Sequence, residues 1–369
     1  MSLTIHPVIS RAELGEFIRL PRRLYQNMPG YVAPLDMERR ELIDPKKAPF
    51  FTHGRAAYWI ARCDGHAVGR ISAQIDDIEG PETPPNLGQF GCLDAIDDRE
   101  VVAALLRTAE AWLQEKGCCY FRGPFILSIN GESGLLIDGQ KQPPMVLLPW
   151  HPPYLEGHVL AAGYRRATKL FSFALDLRKL NEEKLQLLAS GVRRDFSIRS
   201  MNLRAFKNEM EIARAIYNDG WQRNWGFVPG TAADAAGLAR SFKPFLLRDA
   251  GFFISENDQA IAFALTIPNV FDISSDLGAS PGAVGFVKLL WRIQRRRYRS
   301  FRLAFIGGKI SHHGTGIGKV ALLETIKRLK RYGAEELTCA WVLESNAALI
   351  HALQYFGFSP VMTFGLYEK

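Results

Sequence analysis

The stretch FRLAFIGGKISHHGTGIG, residues 301–318, decides how the second half of this sequence is interpreted. Strand-forming residues are followed by two glycines, and a polar turn then leads into a helix that opens on Gly316-Ile317-Gly318. Glycine lets a backbone approach a ligand closely, and the amides at a helix N-terminus add partial positive charge. The stretch therefore predicts a cradle for phosphate groups, although glycine turns of this kind also occur in unrelated loops.

The elements predicted around this turn follow a regular order. They are a hairpin, a strand, a long helix, a second strand, a second helix and a last strand, at 252–267, 301–306, 318–332, 337–342, 346–355 and 361–367. The order repeats in the first half, where Asp64-Gly65 predicts a hairpin and Asp97 with Glu100 begins a helix that ends at Gly117. The fold class is therefore α/β (α+β), in two domains.

The domain boundaries predicted from this repetition are 1–176 and 191–369, joined by a connector at 177–190. The first domain has no counterpart of the glycine turn. Its strand around 88–93 runs into the acidic segment 94–98, which repels a pyrophosphate.

On these residues the second half resembles the GNAT acyltransferases. Their signature, Gln/Arg-x-x-Gly-x-Gly/Ala at the start of a long helix, is matched with His313 in the first place, and Asn346 opens a helix that ends in Gly357-Phe358. The resemblance implies an acyl-CoA co-substrate, held without a metal between two splayed parallel strands at 301–306 and 337–342. The cofactor-binding residues that it implies are Ile306, Gly308, Ile310, His313, Gly314, Thr315, Gly316, Ile317 and Gly318.

The whole chain is also similar to a bacterial family of tandem GNAT-like N-acyltransferases. The matching segments include Arg122-Gly123-Pro124-Phe125, Asn224-Trp225-Gly226-Phe227 and Trp341-Val342-Leu343-Glu344. Some members resemble the bacterial ceramide synthases, which acylate the amine of a sphingoid base. The resemblance implies two GNAT-like domains, each a mixed, mostly antiparallel sheet flanked by helices, the first degenerate. It implies transfer of an acetyl or longer acyl group from acyl-CoA to a small-molecule or lipid amine.

Five residues are candidates for the reaction and for the acceptor. Glu344 follows the second splayed strand, where a carboxylate can take the proton of an ammonium group, and the alternative is a solvated strand end. Asn346 is a catalytic candidate and also suits a helix cap. Asn224 is placed by the resemblance at the acceptor wall as a catalytic candidate, with Trp225 and Asn269 as substrate-binding candidates; structural turns are the alternative for each.

Leu353 marks a departure from the GNAT pattern. Many GNAT enzymes have a tyrosine at this place in the last helix, which protonates the leaving thiolate. A thiol with a pKa near 8.5 leaves without an obligatory acid, so an enzyme stays the first hypothesis. The rival hypothesis is a non-catalytic acyl-CoA-binding or membrane-associated regulatory protein.

The stretch 286–302 is rich in Lys and Arg, contains no acid and is interleaved with apolar residues. A basic amphipathic helix of this kind suits peripheral contact with an anionic membrane. A solvated cationic face and a patch for the coenzyme's phosphates are the alternatives. The formal charge of +8 fits any polyanionic partner. Nucleic acid is not expected, because base-stacking aromatic spacing, helix-turn-helix and zinc patterns are all missing.

The remaining composition predicts a cytoplasmic protein, peripheral at the inner membrane face. Five cysteines without CxxC spacing are typical of buried thiols rather than of disulfides or zinc ligands. The N-terminus lacks the pattern of a signal peptide, and no apolar run is long enough to span a bilayer.

Overall fold

The computed structural model describes residues 2–192 and 195–369, which form two compact units. Unit 1 comprises Met1–Leu170, Ser275–Pro281 and Met362–Lys369, and unit 2 comprises Phe171–Ser274 and Gly282–Val361. Residues 177–190, predicted as a connector, belong to unit 2 and contain a short helix. The domain boundaries given above stay a prediction.

Helices and strands are numbered along the chain. The strands are β1 Leu3–Pro7, β2 Gly54–Cys63, β3 His66–Asp76, β4 Leu87–Ala95, β5 Tyr120–Gly123, β6 Leu135–Asp138, β7 Arg165–Asp176, β8 Ser197–Ser200, β9 Gly251–Glu256, β10 Gln259–Pro268, β11 Ser300–Gly308, β12 Glu336–Leu343 and β13 Ser359–Glu368. The helices are α1 Arg11–Tyr25, α2 Asp36–Ile43, α3 Arg99–Glu115, α4 Leu155–Ala161, α5 Glu182–Ser190, α6 Phe206–Gly220, α7 Ala232–Phe242, α8 Phe271–Ser274, α9 Ala283–Arg295, α10 Ile317–Tyr332 and α11 Ala347–Tyr355.

In unit 1 the strands lie in the order β1-β2-β3-β4-β5-β13, with β6 also pairing with β13. Neighbouring strands are antiparallel except for the parallel pair β4 and β5. The hairpin between β2 and β3 turns at Asp64 and Gly65, whose φ angles of 48° and 80° are those of a tight turn that matches strand twist. Helix α3 packs on this sheet and buries Val101, Leu105 and Leu113.

In unit 2 the strands lie in the order β12-β11-β10-β9-β8, and β11 with β12 is the parallel pair. Asn257 and Asp258, at φ 48° and 62°, form the turn between β9 and β10. Helix α10 buries Leu322, Ile326 and Leu329. The predicted fold class, a mixed and mostly antiparallel β-structure flanked by helices, is confirmed.

Two local expectations were wrong. The start of α3 is capped by Asp98 rather than Asp97, since the Asp98 carboxylate accepts the amides of Glu100 and Val101. The basic stretch 286–302 is not one helix. Helix α9 ends at Arg295, and Arg302 is a buried residue of β11, because the chain must re-enter the sheet there.

Candidate functional site

The parallel strands β11 and β12 diverge within unit 2. They pair from Ser300 with Glu336 to Leu303 with Cys339, and their pairing ends there. Strand β11 then continues for five residues, to Gly308, and Phe305–Gly308 pair with β10. Along these residues the edge of β11 that faces away from β10 has no strand partner in the described part of the chain. A linear ligand can therefore lie along that edge.

A β-bulge marks the point of divergence. Leu265 and Thr266 of β10 pair with Phe305 and Leu303, so Ala304 has no residue opposite it on β10. An extra residue of this kind bends the strand and increases its twist. The bulge accounts for β11 turning away from β12 directly after their last pair.

A buried arginine lies beside the same point. Arg302 donates from Nε and Nη2 to the carbonyl oxygen of Ala340, at 3.2 and 3.0 Å, and its guanidinium lies 4.4 Å from the centre of the Trp341 ring. The sequence pattern assigned Arg302 to a basic surface, and no local signal distinguishes it from its arginine neighbours. It instead ties β11 to β12 where their pairing ends.

The turn after β11 is fixed by side chains and backbone together. The amide of Lys309 donates to Ile261 and the amide of Ile310 donates to Oδ2 of Asp219, at 2.8 and 2.7 Å. Nε2 of His313 donates to the carbonyl oxygen of Gly308 at 3.1 Å. The hydroxyl of Thr315 donates to the carbonyl of His312 at 2.7 Å. His313, where the GNAT signature has Gln or Arg, is thus a residue that closes the turn.

Four amides of this turn make no hydrogen bond with any residue that the structure describes. They belong to Gly314, Gly316, Ile317 and Gly318. Ile317 and Gly318 begin the 16-residue helix α10, so the positive end of its dipole adds to theirs. The first turn of α10 has no acidic residue. Such a set of amides suits the phosphates of a coenzyme.

The glycines keep the space in front of these amides open. Gly314 and Gly316 have φ angles of 79° and 87°, in the left-handed region that favours glycine. A Cβ atom added at Gly314, Gly316 or Gly318 meets no atom within 4 Å. Gly318 has an ordinary helical backbone, so neither its conformation nor its neighbours require glycine there. A ligand that approaches the backbone closely would explain it, and the residues present fit the diphosphate of acyl-CoA.

The end of α6 supports the turn from the other side. A Cβ at Gly307 would lie 2.3 Å from the Trp221 ring, and one at Gly220 would lie 2.3 Å from the carbonyl oxygen of Gly308. Asp219, in the same helix, accepts the Ile310 amide. The backbone of β11 therefore contacts the Trp221 ring at Gly307 and the backbone of α6 at Gly308. These close contacts fix the position of the turn.

Aromatic rings pack beside the diverging half of β11. Tyr217 lies 5.0 Å from Trp221, 5.5 Å from Phe227 and 6.3 Å from Phe305, centre to centre, and Phe263 stacks on Phe305 at 6.1 Å. Burial, with a smaller effect of Asp234, raises the pKa of Tyr217 well above its usual value, so its hydroxyl stays protonated. This cluster was missed from the sequence, because its members come from α6, the loop after it and two strands.

The candidates near the acceptor are only partly brought together. Glu344 is exposed and follows directly on β12, at the sheet edge where β11 also ends. Asn224 lies in the loop after α6, and its backbone amide donates to the carbonyl oxygen of Trp221. Trp225 is the next residue of the same loop. Asn346 caps α11 by accepting the Leu349 amide at 3.1 Å.

Asn269 lies apart from this group. It is buried after β10, and its amide group donates to the hydroxyl of Ser300 at the start of β11. Ser300 and Gly308 are separated by about 26 Å along the strand. Asn269 is therefore at the opposite end of β11 from the glycine turn.

The position of the expected general acid is occupied by a core residue. Leu353 is fully buried in α11. The nearby Tyr355 donates its hydroxyl to the carbonyl of Leu188 at 3.3 Å, and Lys319 lies 4.5 Å from its ring centre. Leu353 therefore cannot serve as the acid, and Tyr355 is held by the Leu188 carbonyl instead.

Unit 1 has the same strand arrangement without the anion site. Strands β4 and β5 are parallel and pair only over Leu87–Gln89, but the amides at the start of α3 are taken by the Asp98 carboxylate. His151 is buried, with Nδ1 accepting the Leu136 amide at 3.1 Å, and burial lowers its pKa. A neutral histidine held in this way has a structural role.

Among the described residues, no group of three or more His, Cys, Asp or Glu side chains is arranged to hold a metal ion. Within the same residues, no helix combines the length and the apolar character that crossing a membrane requires.

Solved structures with the same architecture identify the fold. A tandem GNAT protein from the clavulanic acid biosynthesis pathway aligns with all of this chain and 98% of its own, at a TM-score of 0.60 and 12% identity. A GCN5-related N-acetyltransferase from Sphaerobacter thermophilus aligns with all of this chain and 95% of its own, at a TM-score of 0.56 and 11% identity. The fold is that of the tandem GNAT acyltransferases.

Two curated proteins resemble the chain over nearly its whole length. Protein YghO of Escherichia coli (strain K12) is 36% identical, covering 99% of this chain and 95% of YghO. The bacterial ceramide synthase of Caulobacter vibrioides (strain NA1000 / CB15N) is 34% identical, and the alignment covers 100% of this chain and 97% of the synthase. No family model matches the sequence. The chain belongs to the tandem GNAT family that includes these two proteins.

Proposed function

We propose that this protein transfers an acyl group from acyl-CoA to the amine of a lipid, with a sphingoid base as the acceptor class. The observation that carries the proposal is the set of four amides, on Gly314, Gly316, Ile317 and Gly318, which lack partners among the described residues at the end of a diverging strand. The ceramide synthase relative supports the lipid amine. The acyl donor follows from the GNAT fold.

Binding of the donor would use backbone groups. The four amides would hold the diphosphate, and the free edge of β11 from Ala304 to Gly308 would pair with the pantetheine arm. This arrangement would place the thioester near the bulge at Ala304. The aromatic cluster of Tyr217, Trp221 and Phe305 would exclude water from the acyl side.

The transfer step needs a neutral amine. Glu344 would accept a proton from the incoming ammonium group, directly or through water, and the amine nitrogen would then attack the thioester carbonyl. The carbon–sulfur bond breaks, the CoA thiolate leaves with the bonding electron pair, and the nitrogen gives its surplus proton to water, which leaves the neutral amide. Because Leu353 replaces the usual acid, the thiolate would be protonated by water, which its pKa near 8.5 permits. Asn224 and Trp225 would line the acceptor side.

A second candidate function is favoured by Leu353. Without a general acid, the protein would bind acyl-CoA and act as a regulatory protein rather than an enzyme. We further propose a cytoplasmic site of action, since acyl-CoA is the donor and all five cysteines are free thiols.

Release of free thiol separates the two functions. The purified protein is incubated with acetyl-CoA or long-chain acyl-CoAs and a panel of amines that includes a sphingoid base. We expect thiol release that depends on both substrates, with an amide product seen by mass spectrometry. Saturable binding of acyl-CoA without turnover on any amine would support the regulatory protein instead.

A further inference from the structure

We propose that helix α9 docks this protein on an anionic lipid surface, with one apolar face inserted between headgroups and a basic end against them. Helix α9 is the 13-residue segment Ala283–Arg295 of unit 2. The inference concerns an interaction surface, and it holds whether or not the protein transfers acyl groups.

The apolar face of α9 is turned outward. Leu289 is buried, and Arg292 donates to the carbonyl of Ile273, also in unit 2, at 2.8 Å. At 100° per residue, Val287 lies about 160° round the helix from Leu289. The exposed large apolar residues of the helix, with their exposed fractions, are Val284 (84%), Phe286 (41%), Val287 (66%), Leu290 (45%) and Trp291 (52%).

Five exposed large apolar side chains on one short helix are unusual for a protein surface in water. Their spacing of three and four residues makes them one continuous stripe. Scattered apolar residues on a surface need no explanation, but a contiguous patch marks an interaction site. Among the described residues, nothing covers this stripe.

The charges next to the stripe select the partner. Arg295, Arg296, Arg297 and Arg299 are exposed and make no ion pair with any carboxylate of the described residues. Arg295 lies 4.5 Å from the centre of the Trp291 ring, so the basic end adjoins the apolar stripe directly. No Asp or Glu occurs between residues 283 and 302.

An anionic bilayer satisfies both features. Apolar side chains enter the boundary between headgroups and acyl chains, and the arginines meet phosphate groups at the surface. A soluble polyanion such as a coenzyme would engage the arginines and leave the stripe in water. Arg292 and Arg302, which the sequence pattern counted in this patch, take no part because they bond to backbone carbonyls.

Flotation with lipid vesicles tests the proposal on the full chain without acyl-CoA. The vesicles are phosphatidylcholine alone, or phosphatidylcholine and phosphatidylglycerol in equal parts. We expect flotation with the mixed vesicles that weakens as ionic strength rises. Arg296→Ala with Arg297→Ala should lower the partition coefficient for the mixed vesicles about 25-fold, since each surface arginine contributes about fivefold. The control pair Arg107→Ala and Lys207→Ala, exposed residues of α3 and α6, removes the same charge and should leave binding unchanged.

The apolar face needs its own variants. Val287→Asp with Trp291→Asp should reduce flotation on the order of tenfold or more, because both side chains lose their apolar burial in the bilayer. The matched control is Ile9→Asp with Leu187→Asp, which alters side chains 87% and 70% exposed, one in the loop before α1 and one in α5. Flotation that ignores the first pair would overturn the proposal. It would also be overturned by a wild-type dimer in light scattering that the first pair dissociates while vesicles fail to bind, since a second copy then covers the stripe.

Discussion

Gly318 is a glycine of the turn that the folded chain itself does not require. Its backbone is helical and a Cβ there meets open space, so the folded chain alone gives no reason for glycine. Gly314 and Gly316 differ from it, because their positive φ angles already favour glycine. A substitution at Gly318 can therefore separate ligand binding from folding.

Gly318→Ala should lower affinity for CoA at least tenfold, about 1.4 kcal/mol, because the methyl group occupies the approach to the amides. The same change should raise stability by about 0.5–1 kcal/mol, because alanine favours a helix. Calorimetric titration and thermal unfolding measure the two effects. Gly157→Ala, in α4 with equally open space, is the control and should change only stability. Unchanged affinity for CoA in Gly318→Ala would contradict the proposal that the amides of the glycine turn bind the diphosphate.

Glu344→Gln should lower kcat about 100-fold or more and leave the KM for acyl-CoA unchanged, because only the proton acceptor for the amine is lost. The loss should be largest at low pH, where less of the amine is neutral. Steady-state kinetics over a range of pH gives the comparison. Glu183→Gln, an exposed carboxylate of α5, is the control. A variant as active as the wild type would show that Glu344 is only a solvated carboxylate at the end of a strand.

At the scale of elements, the site depends on β11 being held away from β12. The bulge at Ala304, the Arg302 side chain and the contact of Trp221 with Gly307 all act on this one strand. The partners of these three features lie on β10, on β12 and at the end of α6. The site is thus built by packing between α6 and the sheet as well as by the glycine turn.

Gly307→Ala should destabilise the protein by about 1–3 kcal/mol, because its methyl group would overlap the Trp221 ring. Adding Trp221→Leu should recover part of this loss, and the double-mutant cycle measures the coupling by urea unfolding. Strictly additive effects of the two changes would mean that the ring does not hold the strand.

Much of the fold could be predicted from the sequence because its signals are local. The hairpins at Asp64-Gly65 and Asn257-Asp258 follow from turn residues that tolerate positive φ. The start of α10 follows from its glycines. The burial of Arg302 and the aromatic group around Tyr217 could not be predicted, because they depend on contacts between residues far apart in sequence. The exposure of the α9 stripe could not be predicted either, since the periodicity of a helix does not show which of its faces packs against the rest of the protein.

At the scale of the whole molecule, the two units share a plan and differ in chemistry. Unit 1 has a parallel strand pair and a following helix, but Asp98 occupies the amides of that helix. Unit 2 leaves the equivalent amides open at α10. We therefore expect only one of the two units to bind acyl-CoA.

Hydrogen exchange of the full chain with and without a saturating acyl-CoA tests this central claim most directly. Ligand that binds only the folded state slows exchange where its contacts lie. We expect strong protection from exchange over residues 304–318, which cover the free edge of β11 and the glycine turn, and no protection at the start of α3. Protection at the start of α3, or exchange unchanged over 304–318 while acyl-CoA is bound, would contradict it.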